Sequence, residues 1–490
     1  MRKSGLILHP TSLPGPFACG DIGPAAHAFV DFLADAGQSI WQVLPLGPTG
    51  YGDSPYQCFS AFAGQPLLVS PEALLADELL SRHELAALPP RTGAGTDYGA
   101  AVAASARVAE ALAGHLHGHA LEERFEAFRA STPWLAEHAR FMAIREAHGG
   151  RPWHEWPEAL RGRDAAALAE ADRALAPALR RHAAMQWAFA EQWAALRQHA
   201  HERQVSLLGD APIFVAYDST DVWASPGLFE LDTHGRPTGV AGVPPDYFSE
   251  TGQMWGNPLY RWSEHATTGY AWWIARLRAL MALVDSVRLD HFIGFVRYWE
   301  VPPDAPDARR GQWRPGPGEA LFRAIESALG GLPLVAEDLG ETGPQVEKLR
   351  DDLGLPGMKI LQFAFGDDAK NPFLPAHHVP NSVVYTGTHD NDTVHGWWAQ
   401  ASKAERDFAR EVLGESCGDI AWDLIEAAMA SIARTAIVPV QDVLSLGAEA
   451  RFNTPGKAAG NWTWRLTERQ LLPEHAARLR AMAVRHQRTP

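Results

Sequence analysis

The chain has 490 residues, enough for about three domains of ordinary size or for one enlarged α/β barrel. Its 43 basic and 58 acidic residues give a net charge of −15, which argues against a broad nucleic-acid-binding surface. Hydrophobic residues make up 46% and charged residues 21% of the chain, which excludes an intrinsically disordered protein.

Eight short apolar segments recur along the chain, and nearly all of them lead into polar residues. Many are rich in Val, Ile and Leu, the pattern of a strand buried on both faces of a parallel sheet. In chain order the predicted strands are 4–8, 39–44, 205–208, 284–289, 334–336, 358–361, 382–385 and 436–440.

Amphipathic helical patterns lie between most of these strands. The predicted helices are 24–36, 270–283, 318–329, 344–353, 403–413 and 420–432. Strands that alternate with helices imply right-handed crossovers and a parallel sheet. The sequence therefore predicts an α/β fold, a (β/α)8 TIM barrel with inserted subdomains.

Two long connections interrupt the regular alternation. The second and third strands are about 160 residues apart, more than one crossover helix needs. Within this gap, residues 70–200 show repeated helical periodicity and are predicted to form an inserted, mainly helical subdomain. Residues 211–283 contain a Gly-, Pro- and aromatic-rich stretch at 242–258, which predicts a loop-rich inserted subdomain with an active-site lid. We interpret residues 1–490 as one catalytic barrel that carries both insertions.

Acidic residues follow several of the predicted strands. In a (β/α)8 barrel the reacting groups lie at the carboxyl ends of the strands. Here Asp210, Asp290, Glu337 and Asp390 occupy such positions. A single acid there is more often an ordinary strand terminator in contact with water, but a set of four favours a catalytic site.

The segment 287–294 (VRLDHFIG) places Arg288 and Asp290 two residues apart, on one face of a strand. A neighbouring arginine favours the ionised form of a carboxyl group, which suits a nucleophile. A structural ion pair at a strand end is an equally good reading of this motif alone.

The segment 335–340 (VAEDLG) contains two adjacent acids, Glu337 and Asp338. Neighbouring residues of a strand point to opposite faces, so we expect only one of the two to enter the barrel mouth. A Glu near other carboxylates and partly removed from water keeps its proton near neutral pH and can act as a general acid.

Asp390, in 385–392 (YTGTHDND), supplies a third acid. Two carboxyl groups on either side of a glycosidic bond are what acetal chemistry requires, and a third can hold sugar hydroxyls.

Three of these motifs resemble the retaining α-glucan-acting barrel enzymes related to α-amylase: RLDH at 288–291, AEDL at 336–339 and THD at 388–390. The chain looks still more like the amylomaltase family, the bacterial 4-α-glucanotransferases. The likeness lies in 5–15 (GLILHPTSLPG), 41–46 (WQVLPL), 47–57 (GPTGYGDSPYQ), 209–215 (GDAPIFV), 242–258, 355–363 (LPGMKILQF) and 461–462 (NW). These segments follow the family order, and the likeness is weakest at 70–200.

The resemblance implies a 4-α-glucanotransferase that moves α-1,4-glucan segments from a maltooligosaccharide or starch-like donor to the 4-hydroxyl of an acceptor. It implies double displacement through a covalent glucosyl-enzyme, and intramolecular transfer would give cyclic glucans. Asp290 matches the family's nucleophile, Glu337 its acid/base and Asp390 its transition-state-stabilising residue.

The resemblance also implies positions for sugar contacts. Family sugar contacts fall on Tyr56, Asp210, Trp255, Asn257, Arg288 and His389. The aromatic residue of a remote secondary glucan groove falls on Tyr51, and the family's lid loops correspond to about 242–256 and 452–462. We expect Phe248 in the first lid loop to exclude water and to bind acceptor sugar.

The expected partners are α-1,4-glucans and maltooligosaccharides, without a cofactor, metal, nucleic acid, membrane or obligate protein partner. The sequence contains no nucleotide-binding fingerprint. His115, His117 and His119 alternate near a Gly, but without Cys or acidic partners at ligand spacing they favour a solvated loop over a metal site.

The expected location of the chain is the cytoplasm. Cys19, Cys58 and Cys417 cannot all pair, which fits a reducing compartment. The amino terminus lacks the apolar core of a signal peptide, and no stretch approaches the roughly 20 apolar residues of a membrane span.

Most of the eighteen Trp residues are expected to pack in the interior. Trp187, Trp193, Trp272 and Trp273 lie in helical patterns, whereas Trp255 lies in a predicted loop and is expected to contact sugar. Two other functions stay open: an α-amylase-type α-1,4-glucan hydrolase, and a non-catalytic glucan-binding protein on an inactive barrel.

Overall fold

The computed structural model describes residues 2–245, 249–340, 343–366, 369–414, 418–457 and 459–489. Its strands are β1 Lys3–Ile7, β2 Ile40–Gln42, β3 Ser206–Ala211, β4 Val240–Val243, β5 Gln253–Pro258, β6 Ser286–Leu289, β7 Arg297–Val301, β8 Gln312–Pro315, β9 Leu334–Ala336, β10 Gly357–Ile360, β11 Ser382–Tyr385 and β12 Thr435–Pro439.

In the described residues, eight parallel strands form one sheet in the order β10-β11-β12-β1-β2-β3-β6-β9. The two outer strands of this order meet where the N–H of Ala336 donates a 2.9 Å hydrogen bond to the carbonyl of Pro356. This contact closes the sheet into a barrel. Each strand overlaps one of the eight predicted strands, and the predicted TIM-barrel fold is confirmed.

The barrel strands are buried on both faces, which explains their continuous apolar sequences. Inside the barrel lies an apolar cluster that includes Ile7, Leu208, Val335 and Ile437, while a larger cluster fills the space between the strands and the surrounding helices.

The helices surround this barrel and connect its strands. In the described residues they are α1 Pro24–Asp35, α2 Pro71–Ala76, α3 Arg82–Ala86, α4 Tyr98–His115, α5 Glu122–Ser131, α6 Leu135–Ala147, α7 Glu158–Arg161, α8 Ala165–Ala174, α9 Ala176–Glu202, α10 Thr220–Ala224, α11 Trp262–Thr267, α12 Ala271–Leu283, α13 Glu319–Leu329, α14 Gly343–Asp352, α15 Val394–Gln400, α16 Lys403–Leu413, α17 Ile420–Ala430, α18 Val440–Val443 and α19 Pro473–Arg485. No helix in these ranges is both long and apolar enough to cross a membrane.

The connection from β2 to β3 contains helices α2 to α9. The last of these, α9, packs against α1, α4 and α6 and leads directly into β3, so it is the crossover helix of this part of the barrel. Trp193 of α9 donates its Nε1–H to the carbonyl of Leu283 at 2.8 Å, which joins α9 to α12. Trp187, Trp193 and Trp273 are each at most 2% exposed, as expected for packing residues.

A separate antiparallel sheet lies beside the barrel mouth. Within the described ranges its strand order is β5-β4-β7-β8, and the pairing of β4 with β5 is irregular between Val240 and Gly242. The prediction that Trp255 lies in a loop is wrong, because Trp255 is part of β5. The sequence of β5, QMWGNP, has the Gly, Asn and Pro of a loop, and its strand conformation depends on pairing with the distant β4.

Candidate active site

Five charged side chains come from three neighbouring barrel strands and from β11. Asp210 and Arg288 lie within β3 and β6, Asp290 directly follows β6, Glu337 directly follows β9, and Asp390 follows β11. Since parallel strands present their carboxyl ends at one end of a barrel, these residues lie around the same opening. Asp210 lies inside its strand, whereas the sequence pattern placed it after the strand end.

Arg288 links two of the acids. Its Nη1 donates hydrogen bonds to Asp210 Oδ1 at 3.0 Å and to Asp210 Oδ2 at 2.8 Å, and its Nη2 lies 2.8 Å from Asp290 Oδ1. Burial acts to lower the pKa of Arg288, but the charges of Asp210 and Asp290 outweigh it and hold the pKa well above its usual value. The side chain of Asp210 is fully buried, whereas that of Asp290 is 27% exposed and open to a substrate.

Glu337 is held in a different electrostatic environment. Its Oε2 accepts a 2.7 Å hydrogen bond from the N–H of His291, and its Oε1 accepts a 3.1 Å bond from the N–H of Leu339. Burial raises the pKa of Glu337 to about 8; Arg288 opposes the shift and the negative charge of Asp290 adds to it. A carboxyl group in this position carries its proton near neutral pH and can donate it to a leaving group.

Asp338 points away from Glu337, as the alternation of strand residues predicts. It accepts a 2.7 Å hydrogen bond from the N–H of Met358 and pairs with Arg350 of α14. Asp338 therefore joins β9 to β10 and α14, and Glu337 is the acid that faces the barrel mouth.

Asp390 is oriented by three neighbours. His389 Nε2 lies 3.2 Å from Asp390 Oδ2, Asn453 Nδ2 donates to Asp390 Oδ1 at 2.5 Å, and Arg451 donates to the Asp390 carbonyl at 2.7 Å. Burial acts to raise the pKa of Asp390, but the charge and hydrogen bond of His389 and the bond from Asn453 outweigh it, so the pKa lies well below its usual range. Asp390 is therefore a fixed negative charge at the site.

Tyr56 connects the two sides of the site. Its hydroxyl donates to Asp210 Oδ2 at 3.0 Å and lies 2.8 Å from His389 Nε2, and its ring stacks on His389 with 5.3 Å between ring centroids. Burial raises the pKa of Tyr56 well above its usual value, so the phenol keeps its proton. Trp462 packs against both rings, with centroids 6.0 Å from Tyr56 and 6.1 Å from His389.

Replacing Tyr56 by Phe is expected to lower kcat/KM on maltotriose by about tenfold, because Asp210 and His389 both lose their hydroxyl partner. Losing hydrogen bonds between buried groups also lowers the free energy of unfolding by about 1–3 kcal/mol. Steady-state kinetics and urea denaturation measure the two effects. Tyr217→Phe is the control, since the Tyr217 hydroxyl bonds the carbonyl of Gly235, away from the acids; equal kinetic losses in both variants would contradict the assignment of Tyr56 to the site.

The remaining predicted sugar contacts differ in their surroundings and in their exposure. The ring of Trp255 meets that of His291 edge to face, with 4.9 Å between centroids. Asn257 is buried, donates to the carbonyl of Val215 at 2.8 Å and accepts from Gln57 at 3.1 Å, so it fastens β5 to the 47–57 segment. Tyr51 is 80% exposed on the turn Tyr51–Asp53. Phe248 lies outside the described residues.

Sequence reasoning missed the groups that hold the acids in place. Arg451 and Asn453 orient Asp390 from 61 and 63 positions further along the chain. Asn453 lies in the expected lid loop at about 452–462, but neither residue was expected to contact an acid. The main-chain N–H of His291 was also missed, although His291 directly follows the predicted nucleophile. Among the described residues, no group of three or more His, Cys, Asp or Glu side chains is arranged to hold a metal ion.

The barrel and its carboxyl groups define a class of enzyme. Asp290 is paired with a cation and open to substrate, while Glu337 lies in a site that favours its protonated form. An ionised carboxylate and a protonated carboxyl group at neighbouring strand ends are what a barrel enzyme acting on glycosidic bonds requires.

Comparisons with known proteins identify the family within this class. The family profile described as 4-alpha-glucanotransferase matches residues 8–471. The 4-alpha-glucanotransferase of Thermus thermophilus is 51% identical over 495 aligned positions, which cover 98% of each protein. That of Synechocystis sp. is 47% identical, covering 96% of this chain and 95% of that protein. The structure of amylomaltase from Streptococcus agalactiae in complex with acarbose matches with a TM-score of 0.97 and 35% identity, covering 100% of both chains. The chain belongs to the 4-alpha-glucanotransferase family, and the predicted family is confirmed.

Proposed function

We propose that this 4-alpha-glucanotransferase disproportionates α-1,4-linked maltooligosaccharides and starch-like glucans by double displacement. The observation that carries the proposal is the contrast between two neighbouring acids. Asp290 forms a 2.8 Å ion pair with Arg288, and burial favours the protonated form of Glu337. Double displacement needs an ionised nucleophile and a protonated acid at the same time.

In the first half of the reaction, Asp290 attacks the anomeric carbon of the donor glucose. A bond forms between a carboxylate oxygen of Asp290 and this carbon, while the bond to the glycosidic oxygen breaks. The proton of Glu337 passes to that oxygen, which leaves as the 4-hydroxyl of the departing glucan. The result is a covalent glucosyl-enzyme and an ionised Glu337.

In the second half, an acceptor glucan takes the place of the departed one. Glu337 now removes the proton of the acceptor 4-hydroxyl, whose oxygen attacks the anomeric carbon and displaces Asp290. The configuration is inverted twice and is therefore retained. Asp390, fixed by His389 and Asn453, supplies negative charge beside the sugar ring while positive charge develops on it.

Transfer rather than hydrolysis requires that a sugar reach the intermediate before water does. We propose that Trp255 on β5 forms part of the acceptor platform, since it is partly exposed and lies against the residue that follows the nucleophile. We also propose that Tyr51 binds glucan at a second, outer position. Its support is the 80% exposure of a large ring on the turn Tyr51–Asp53, which ends three residues before Tyr56.

Maltotriose distinguishes transfer from hydrolysis. When the purified protein is incubated with maltotriose, we expect glucose and a ladder of longer maltooligosaccharides, while the total number of reducing ends stays constant. Chromatography of the oligosaccharides and a reducing-end assay measure the two quantities. Reducing ends that rise in step with glucose would instead support the α-amylase-type hydrolase, and an unchanged substrate would support the non-catalytic glucan-binding protein.

A further inference from the structure

His291 has an unusual backbone conformation directly after the proposed nucleophile. Its φ and ψ are 53° and 53°, in the left-handed region that residues other than Gly rarely occupy. Residues in such conformations cluster at functional sites, where the surrounding structure maintains them. The backbone of His291 is therefore a candidate for a positioning role in the site.

The left-handed conformation directs one peptide N–H at Glu337. The N–H of His291 donates a 2.7 Å hydrogen bond to Glu337 Oε2, and the next N–H, that of Phe292, donates a 3.0 Å bond to the Glu337 main-chain carbonyl. Because Phe292 is fixed to the end of β9 in this way, φ at His291 decides where the preceding N–H points. A negative φ would turn that N–H away from the carboxyl group.

The side chain of His291 stabilises this conformation by packing. Its ring lies edge to face with Trp255 at 4.9 Å and 86°, and a Cβ on Gly294 would lie only 3.1 Å from His291 Cδ2. In the described part of the chain, Nε2 of His291 has no hydrogen-bond partner. These ring contacts are packing contacts, and the hydrogen bond to Glu337 comes from the backbone of His291.

We propose that His291 is a positioning residue for the acid/base: its left-handed backbone supplies the N–H that orients Glu337 and leaves the proton on Oε1. The shorter hydrogen bond, 2.7 Å to Oε2, stabilises negative charge on that oxygen better than the 3.1 Å bond from Leu339 does on Oε1. The proton of Oε1 then passes to the glycosidic oxygen. This inference rests on the proposed role of Glu337.

Two substitutions at His291 separate the backbone from the ring. Glycine adopts a positive φ without steric cost, whereas β-branched valine is strongly disfavoured there, and neither carries the imidazole. The charges of Arg288 and Asp290 also act on the pKa of Glu337, and both substitutions leave these two residues in place. His291→Gly and His291→Val therefore lose the same ring contact and differ in their ability to keep the hydrogen bond.

We expect the basic limb of the kcat/KM profile to stay in place in His291→Gly, with KM for the acceptor raised about fivefold by loss of the Trp255 contact. In His291→Val the limb moves to higher pH by about one unit, because a hydrogen bond to the charged carboxylate is lost, and kcat falls about tenfold or more. His291→Ala, with a smaller shift in the same direction, replaces the valine variant if that protein does not fold.

The proposal is overturned if the basic limb of the pH profile moves equally in the glycine and valine variants, or moves in neither. A movement of this limb in His291→Gly alone also overturns it, so the test does not depend on the valine protein. The wild type separates this failure from failure of the proposed function. If wild-type protein makes no glucan ladder from maltotriose, or if its basic limb persists in Glu337→Gln, the assignment of Glu337 is wrong and not only that of His291.

Discussion

Replacing Glu337 by Gln is expected to reduce glucan transfer from maltotriose by about 10²–10⁴-fold, because Gln has no proton to give to the departing glucan. An α-maltosyl fluoride donor needs no such proton, since fluoride leaves as a stable anion. We therefore expect the first turnover of the variant to release fluoride from this donor at a rate near that of the wild type. Without a base for the second step, the covalent glucosyl-enzyme accumulates, and mass spectrometry of the intact protein measures it.

The pH dependence gives a second readout of the same substitution. Burial raises the pKa of Glu337 to about 8, so the wild-type kcat/KM falls as pH rises through this value and the acid loses its proton. In Glu337→Gln this basic limb disappears. Both oxygens of Glu337 accept main-chain N–H bonds, but the Gln amide can accept only one of them, so the free energy of unfolding falls by about 1–3 kcal/mol.

Glu347→Gln is the matched control, because Glu347 is exposed on α14, the helix that follows β9. This variant is expected to retain wild-type rates on both donors and the wild-type pH profile. If Glu337→Gln transfers maltotriose as fast as the control does, Glu337 is not the general acid.

The barrel and its acids were predictable because they depend on local patterns. A strand buried on both faces is continuously apolar, and the barrel places polar residues at its carboxyl end, so β9 and Glu337 can be located from residues 334–337 alone. The alternation of side chains along a strand also indicated that Glu337 and Asp338 would point in opposite directions. These inferences need no knowledge of distant contacts.

Several contacts that hold the acids were not predictable because they act across a large sequence separation. Asn453 reaches Asp390 from 63 positions away, and Tyr56 reaches Asp210 from 154 positions away. The strand conformation of Trp255 depends on pairing with β4, and the left-handed φ of His291 depends on contacts with Glu337 and Trp255. Local propensity contains none of this information.

Removing the nucleophile is expected to have the largest effect on the reaction. Asp290→Ala lowers transfer by about 10⁴-fold or more, because no covalent intermediate can form. The fold should survive, since Arg288 keeps two hydrogen bonds to Asp210. Loss of the Asp290 charge also removes one of the influences that raise the pKa of Glu337, so the basic limb of any residual activity moves to lower pH.

The vacated space at Asp290→Ala makes the mechanism testable by rescue. Azide can enter in place of the carboxylate and attack the anomeric carbon of maltosyl fluoride, and one displacement gives the β-configured azide. We expect azide to restore turnover of this donor in Asp290→Ala and to give a β-configured product, which NMR identifies. Asp304→Ala, at an exposed position between β7 and β8, is the control and should be indifferent to azide. If Asp290 is the nucleophile, its removal leaves one displacement by azide and therefore one inversion. An α-configured azide product, or no increase in turnover and no azide product, would show that Asp290 is not the group that attacks the sugar.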